Sequence, residues 1–304
     1  MHRAPQPRLE EVADRIYAYI QPDGGWCLNN AGFLVGPTAV TLIDTAATEM
    51  RARLLRSAIA SVTALAPRTL INTHHHGDHT YGNCVFAHEA VIIGHDDCPA
   101  EMADQDLLLT HLWPHVEWGD IEIVPPTVTF PDRLRLYVGE LRVELIHVGP
   151  AHTTNDVVVW VPEHRLLFTG DVVFNGGTPF VLMGSVAGSL AALRRLRELG
   201  ARTIVPGHGP VGGPELYDVT ESYLTWVQEV AKHGIAAGLS PLQVANEADL
   251  GYFGDWLDPE RIVGNLHRAY AEEQGAQPGS PLDNLAIMLE MVTYNDGKLP
   301  TCLA

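Results

Sequence analysis

An α/β fold with a helical C-terminal region is what the sequence predicts, on three observations. Short β-branched runs alternate with helix-patterned stretches from residue 12 to about residue 210, the strand signal fades beyond Pro214, and Gly-flanked His or Asp residues follow several of the strand candidates. The chain has 304 residues, 46% of them hydrophobic, enough to enclose a substantial core. The same pattern divides it into a core over residues 1–213 and a helical region over 214–304 that packs on the core.

Strands are expected at 15–20, 32–35, 39–43, 68–72, 90–93, 141–147, 157–161, 166–169 and 203–205, each a run rich in Val, Ile, Leu or Tyr. Between the third and fourth of these, Met50, Leu54, Leu55, Ala58, Ile59 and Val62 recur at helical spacing. A second helix reads from Ser189 as N-cap through Leu190, Leu193, Leu196 and Leu199 to a stop at Gly200. Helices follow at 215–233, 241–248 and 259–274, separated by Gly-containing breaks. The stretch DQDLLLTHLWPHVEWG, from Asp104, combines Leu, Trp and His around Pro114. It reads either as a lid over a cleft or as a long loop whose Trp113 and Trp118 pack onto the core.

Nineteen Lys plus Arg against 37 Asp plus Glu give a formal net charge of −18. Such a field repels phosphate backbones and anionic lipid, so general nucleic-acid and membrane-surface binding are excluded as expectations. Four widely spaced cysteines, Cys27, Cys84, Cys98 and Cys302, form neither a C-x-x-C pair nor a disulfide framework, which suits a reducing compartment. The N-terminal stretch MHRAPQPRLEEVADRIYAYI breaks its apolar residues with charges, unlike a signal peptide, and nowhere do 18 apolar residues run together. A cytoplasmic protein is expected.

The densest chemistry lies in Thr73-His74-His75-His76-Gly77-Asp78-His79, directly after an apolar strand candidate. In an extended segment His74 and His76 project to one side, and Gly77 permits the turn that swings Asp78 and His79 to a neighbouring position. Imidazole and carboxylate suit zinc or a similar divalent ion, and two ions side by side need ligands from elsewhere. His152, Asp171 and His208 supply candidates, each after a predicted strand and beside glycine.

With those residues in view, the chain resembles the metallo-β-lactamase fold superfamily, whose H-x-H-x-D-H signature is matched by His74, His76, Asp78 and His79. The resemblance implies a four-layer αβ/βα sandwich holding two Zn2+. It also implies that His74, His76 and His152 hold one ion, that Asp78, His79 and His208 hold the other, and that Asp171 bridges them. His75 occupies a non-ligand position. Asp44, in Thr41-Leu42-Ile43-Asp44-Thr45, matches an acidic residue that supports a ligand histidine, with helix capping as the other reading. Asp78 and Asp171 are the expected catalytic carboxylates.

Departures narrow the choice. β-Lactamases of this fold lack an acid at the position of Asp171, flavo-diiron proteins carry an acid where this chain has His76, and nucleases need a basic arm that is absent. Hydroxyacylglutathione hydrolases bind an anionic thiol with basic C-terminal residues, whereas here that region offers only Lys232, Arg261 and Arg268. The segments DGGWCLNNAG (from Asp23), NGGTPFVLMG (from Asn175) and DPERIVGNLHRAY (from Asp258) are similar to actinomycete aromatic polyketide cyclases of this fold, those of the actinorhodin pathway among them. That likeness implies a bifunctional cyclase and thioesterase acting on a poly-β-ketone carried by an acyl carrier protein. Phe180, Leu182, Met183, Trp113, Trp118 and His267 are then the expected substrate contacts, each with core packing or a helix surface as its alternative. Arg194, Arg195, Arg197 and Arg202 are the only dense basic cluster for an acidic carrier, or else a solvated helix face. A homodimer is the expected assembly. A generic zinc hydrolase of a small thioester, lactone or ester, and an inactive metal-binding scaffold in a biosynthetic complex, remain the other readings.

Overall fold

A computed structural model describes residues 6–304; the first five residues of the expected core lie outside the described residues. Seven strands follow one another across the first sheet: β1 (Arg8–Ala13), β2 (Ile16–Ile20), β3 (Ala31–Val35), β4 (Val40–Ile43), β5 (Pro67–Ile71), β6 (Val91–His95) and β7 (Val128–Phe130). Pairing is antiparallel from β1 to β4 and parallel from β4 to β7. The second sheet contains β8 (Arg133–Val138), β9 (Leu141–His147), β10 (Val157–Val161), β11 (Leu166–Phe174) and β12 (Thr203–His208), in the order β12-β11-β10-β9-β8. Only its β11–β12 pair is parallel.

The helices are α1 (Glu49–Val62), α2 (Gly77–Thr80), α3 (Asn83–Phe86), α4 (Cys98–Gln105), α5 (Leu108–Leu112), α6 (Val186–Leu199), α7 (Glu215–Ala237), α8 (Pro241–Glu247), α9 (Arg261–Glu273) and α10 (Asn284–Tyr294). Three apolar clusters give the layers. Ile16, Leu34, Ile43 and Ile71 of the first sheet meet Val143, Leu145, Val159 and Phe168 of the second. On the outer face of the first sheet, Phe33, Leu42 and Leu70 pack with Leu55 and Ile59 of α1 and Phe86 of α3. On the outer face of the second, Ile146, Trp160 and Leu167 share a cluster with Leu193 of α6, Leu224 of α7 and Ile262 of α9. Helices thus cover both faces of a two-sheet sandwich, the four-layer arrangement in which each sheet buries both sides. No helix among the described residues is long and apolar enough to cross a membrane.

Several elements differ from expectation. Helix α6 is capped by Ser185, whose Oγ accepts from the Gly188 amide at 2.8 Å, while Ser189 is buried inside the helix and donates to the Ser185 carbonyl. The sequence Val186-Ala187-Gly188 hides that start, because β-branched Val and Gly are poor helix formers. β11 does not end at Thr169 but runs on through Asp171 to Phe174, its register with β12 broken around Gly170. β1, β7, β8 and α10 were not expected. β8 is an edge strand whose residues alternate between exposed and half-buried, so Arg133-Leu134-Arg135-Leu136 carries little hydrophobic signal.

Candidate metal centre

The segment leaving β5 carries His74 and His76, and the single turn α2 carries Asp78 and His79. The chain turns from extended backbone at His76 into α2 at Gly77, where a side chain would collide with the Tyr81 ring, 2.3 Å from the added carbon. His152 lies in the β9–β10 loop, Asp171 within β11 and His208 at the last position of β12. Gly207 lets β12 approach β11, since a Cβ there would lie 1.9 Å from Asp171 Oδ1.

These elements bring together two groups of metal-ligating atoms, His74 with His76, His152 and Asp171, and Asp78 with His79 and His208, all within 4.8 Å inside each group. Asp171 joins the groups: its Oδ1 lies 3.0 Å from His79 Nε2, and its Oδ2 lies 3.3 Å from His152 Nε2 and 3.4 Å from His208 Nε2. Asp78 Oδ2 is 3.3 Å from His208 Nε2.

Four of the imidazoles are held by their far nitrogen. His74 Nδ1 meets Thr73 Oγ1 at 3.0 Å, His79 Nδ1 meets Asp44 Oδ2 at 2.8 Å, His208 Nδ1 meets the Gly24 carbonyl at 3.1 Å, and His152 Nδ1 meets the Phe180 carbonyl. Each contact puts a proton on Nδ1 and aims Nε2 at the cluster, the orientation a metal ligand needs. His76 is turned the other way, its Nδ1 2.8 Å from His152 Nε2. Nε2 of His74 and His79 and Oδ1 of Asp171 are buried without a hydrogen-bond partner. Converging ring nitrogens and carboxylate oxygens in a buried space fit divalent cations.

Asp44 caps no helix; Thr48 caps α1. Its carboxylate instead accepts from the Thr73 amide at 2.8 Å, from Thr73 Oγ1 at 2.7 Å and from His79 Nδ1. His75 points away from both groups, with Nδ1 2.8 Å from Asn155 Nδ2, and burial lowers its pKa to about 3. Burial likewise holds His74 and His76 well below the usual imidazole range. Burial also works against protonation of His208, yet Asp171 and Asp78 lift it to about 9, and Asp171, Asp44 and Asp78 raise His79 in the same way. Burial opposes ionisation of Asp171, but His208, His79 and His152 outweigh it and keep the carboxyl ionised.

The cluster opens into a cavity of about 500 Å³ walled by Trp26, Leu108, Leu109, Phe174, Phe180, Met183 and Met288. Of the expected contacts, Phe180 and Met183 line it. Leu182 does not: its side chain is buried, and its carbonyl accepts from Arg268. Trp113 is buried beside Trp26 and donates to the Pro300 carbonyl, while Trp118 is buried against Tyr81 and donates to the Trp113 carbonyl. The 104–120 stretch thus reaches the cavity through Gln105, Leu108 and Leu109 rather than through its tryptophans. His267 is engaged with Glu290 at 2.7 Å. Trp26 and Arg261 were missed. The Arg261 guanidinium lies 4.1 Å from the Trp26 ring centroid, pairs with Asp258 at 2.8 Å and lines the cavity, which no local pattern signals.

A two-sheet sandwich with a histidine–aspartate cluster at its strand ends defines a class of metal-dependent hydrolases. The family model of the metallo-β-lactamase superfamily matches residues 24–208, and the chain belongs to that superfamily. It is 23% identical over 234 residues to "Metallo-beta-lactamase type 2" of Bacteroides fragilis, covering 74% of this chain and 88% of the relative. It is 24% identical over 206 residues to "Acyl-coenzyme A thioesterase MBLAC2" of Bos taurus, covering 62% of this chain and 70% of the relative. Two other curated relatives are matched over only 54% and 48% of their own lengths. A solved metallo-β-lactamase from Pontibacter korlensis superposes with a TM-score of 0.58 at 20% identity, covering 72% of this chain and 99% of that one.

Proposed function

We propose that the protein is a binuclear zinc enzyme that acts on the thioester of a carrier-bound poly-β-ketone, closing a ring by aldol addition and releasing the product by hydrolysis. The observation that carries this reading is the seven-residue cluster opening into an apolar, aromatic-walled cavity. Zinc-type ions held by His74, His76, His152, Asp78, His79, Asp171 and His208 would polarise a carbonyl and lower the pKa of water. Asp78, whose carboxylate faces the cavity, takes the proton from the attacking water or from the methylene carbon. In ring closure that carbon bonds to a ketone carbon whose oxygen gains a proton, and loss of water then aromatises the ring. In release, water adds across the thioester to give an acid and a thiol. Phe174, Phe180 and Met183 hold a flat chain against the cluster.

The acyl carrier protein, as an acidic partner, docks on Arg194, Arg195 and Arg202. Arg197 of the same cluster is engaged by Asp218 and Glu221. The test is mass spectrometry of products from a synthetic poly-β-ketone thioester and from its carrier-bound form. Ring-closed, released product that is lost in Asp171→Ala supports the reading. Release without ring closure assigns the second reading, a plain zinc thioesterase, which the likeness to a curated acyl-CoA thioesterase favours. Neither activity in the zinc-loaded protein eliminates both. Reversing Arg194 and Arg202 should slow only the carrier-bound substrate.

A further inference from the structure

A second hollow of about 440 Å³ lies beside the metal-side cavity, between α10 and the C-terminal tail, walled by Leu112, Trp113, Leu285, Leu289, Val292 and Leu299 among others. Trp26 and Met288 line both spaces, so these two side chains stand between them. They differ in firmness. Trp26 is locked, its Nε1 donating to Glu260 Oε1 at 2.7 Å and its ring set against Phe180 and Trp113. Met288 is an unbranched thioether with three rotatable bonds on a surface helix, the kind of side chain that yields to a ligand.

The second hollow offers no hydrogen bond. Its indole groups are spent, Trp26 on Glu260 and Trp113 on the Pro300 carbonyl, and its other walls are aliphatic. Leu285 and Leu289, which line it, are 68% and 61% exposed, apolar surface left open at the rim of this second hollow. A ketone oxygen placed there would be stripped of water without a partner. A hydrocarbon group would not.

We propose that the second hollow is the subsite for the distal end of the acyl chain, and that this end is hydrocarbon. The inference rests on the thioester reading above and narrows it: the substrate's carbonyl-rich part sits at the metal side, and its far end carries no oxygen.

The test uses zinc-loaded full-length protein and N-acetylcysteamine thioesters of straight-chain acids from four to twelve carbons, together with the matching non-hydrolysable N-alkyl amides followed by calorimetry. Each methylene that enters the hollow should raise kcat/KM and amide affinity about threefold to fourfold. The gain should begin only once the chain is long enough to pass Trp26. Leu289→Gln, at an exposed position that leaves the fold intact, should reduce the ratio of twelve-carbon to four-carbon values at least tenfold, and Met288→Trp, which fills the partition, should do the same. Hydrolysis with a flat chain-length profile overturns the subsite and leaves the thioesterase reading standing. Length-dependent amide binding without hydrolysis overturns the thioesterase reading and keeps the subsite. A sedimentation dimer that Leu289→Gln dissociates, with flat amide binding, assigns the face to a second copy and overturns the proposal.

Discussion

Asp44 shows how much one residue does at this centre. It holds the Thr73 amide and hydroxyl and fixes the His79 ring with Nε2 inward. Asp44→Ala removes all three contacts, and Asp44→Asn puts an amide donor against Nδ1 and drives the proton to the nitrogen that should be free. Both variants should bind zinc roughly tenfold to a hundredfold more weakly in chelator competition while remaining folded. Asp258, paired with Arg261 of the cavity wall, tests the electrostatics beside the candidate ligands. Burial raises its pKa to about 6 despite the nearby Arg261. The folded chain therefore binds a proton there that the unfolded chain, with an ordinary carboxyl, does not bind until lower pH. The sign is that this group's contribution to stability rises as pH falls from about 7 toward 4, by up to ~3 kcal/mol, and declines as pH rises through 6. Asp258→Asn should lack that component, read as a flatter dependence of unfolding free energy on pH than in the wild type.

Helices and strands were legible wherever burial is one-sided and the pattern long. β9 and β10 match their expected spans residue for residue, and α1 begins one residue before its expected stripe. Reading failed where tertiary contacts outweigh local preference. α6 begins a turn early on Ser185, and the consequence is measurable: Ser185→Ala loses the cap and should cost about 1 kcal/mol in denaturant unfolding, while Ser189→Ala removes only a bond back to the preceding turn and should cost less. α10 was invisible because Leu285, Ile287, Met288, Leu289 and Met291 spread around the helix instead of forming one stripe. The candidate ligands were legible because their spacing is local in one motif and follows strand ends elsewhere. Of the cavity walls only Phe180 and Met183 were legible; Trp26, Leu109 and Met288 were not, because they come from distant segments that only the folded chain brings side by side.

On the scale of the whole molecule, one apolar cluster runs from Trp26 through Val172 and Leu193 to Tyr223, Leu266 and Met291, joining the sandwich to the C-terminal helices. The metal centre lies between these parts, so occupancy should report on global stability. Stripping the protein with a chelator should lower its Tm by about 5 °C or more, and zinc at a hundredfold excess over its Kd should restore it, a linkage worth about 3 kcal/mol. An unchanged Tm would mean that ions bind folded and unfolded chains alike. The imidazoles held from behind by Thr73, Asp44, Phe180 and Gly24 carry one more consequence. A cage already shaped by its protein neighbours imposes its own geometry on whatever ion enters, so copper and nickel, which favour tetragonal or square-planar surroundings, lose part of the advantage that their general order of affinity gives them, while zinc, with no such preference, loses none. In competition at equal concentrations zinc should therefore fare better against copper here than in an unfolded peptide carrying the same ligands.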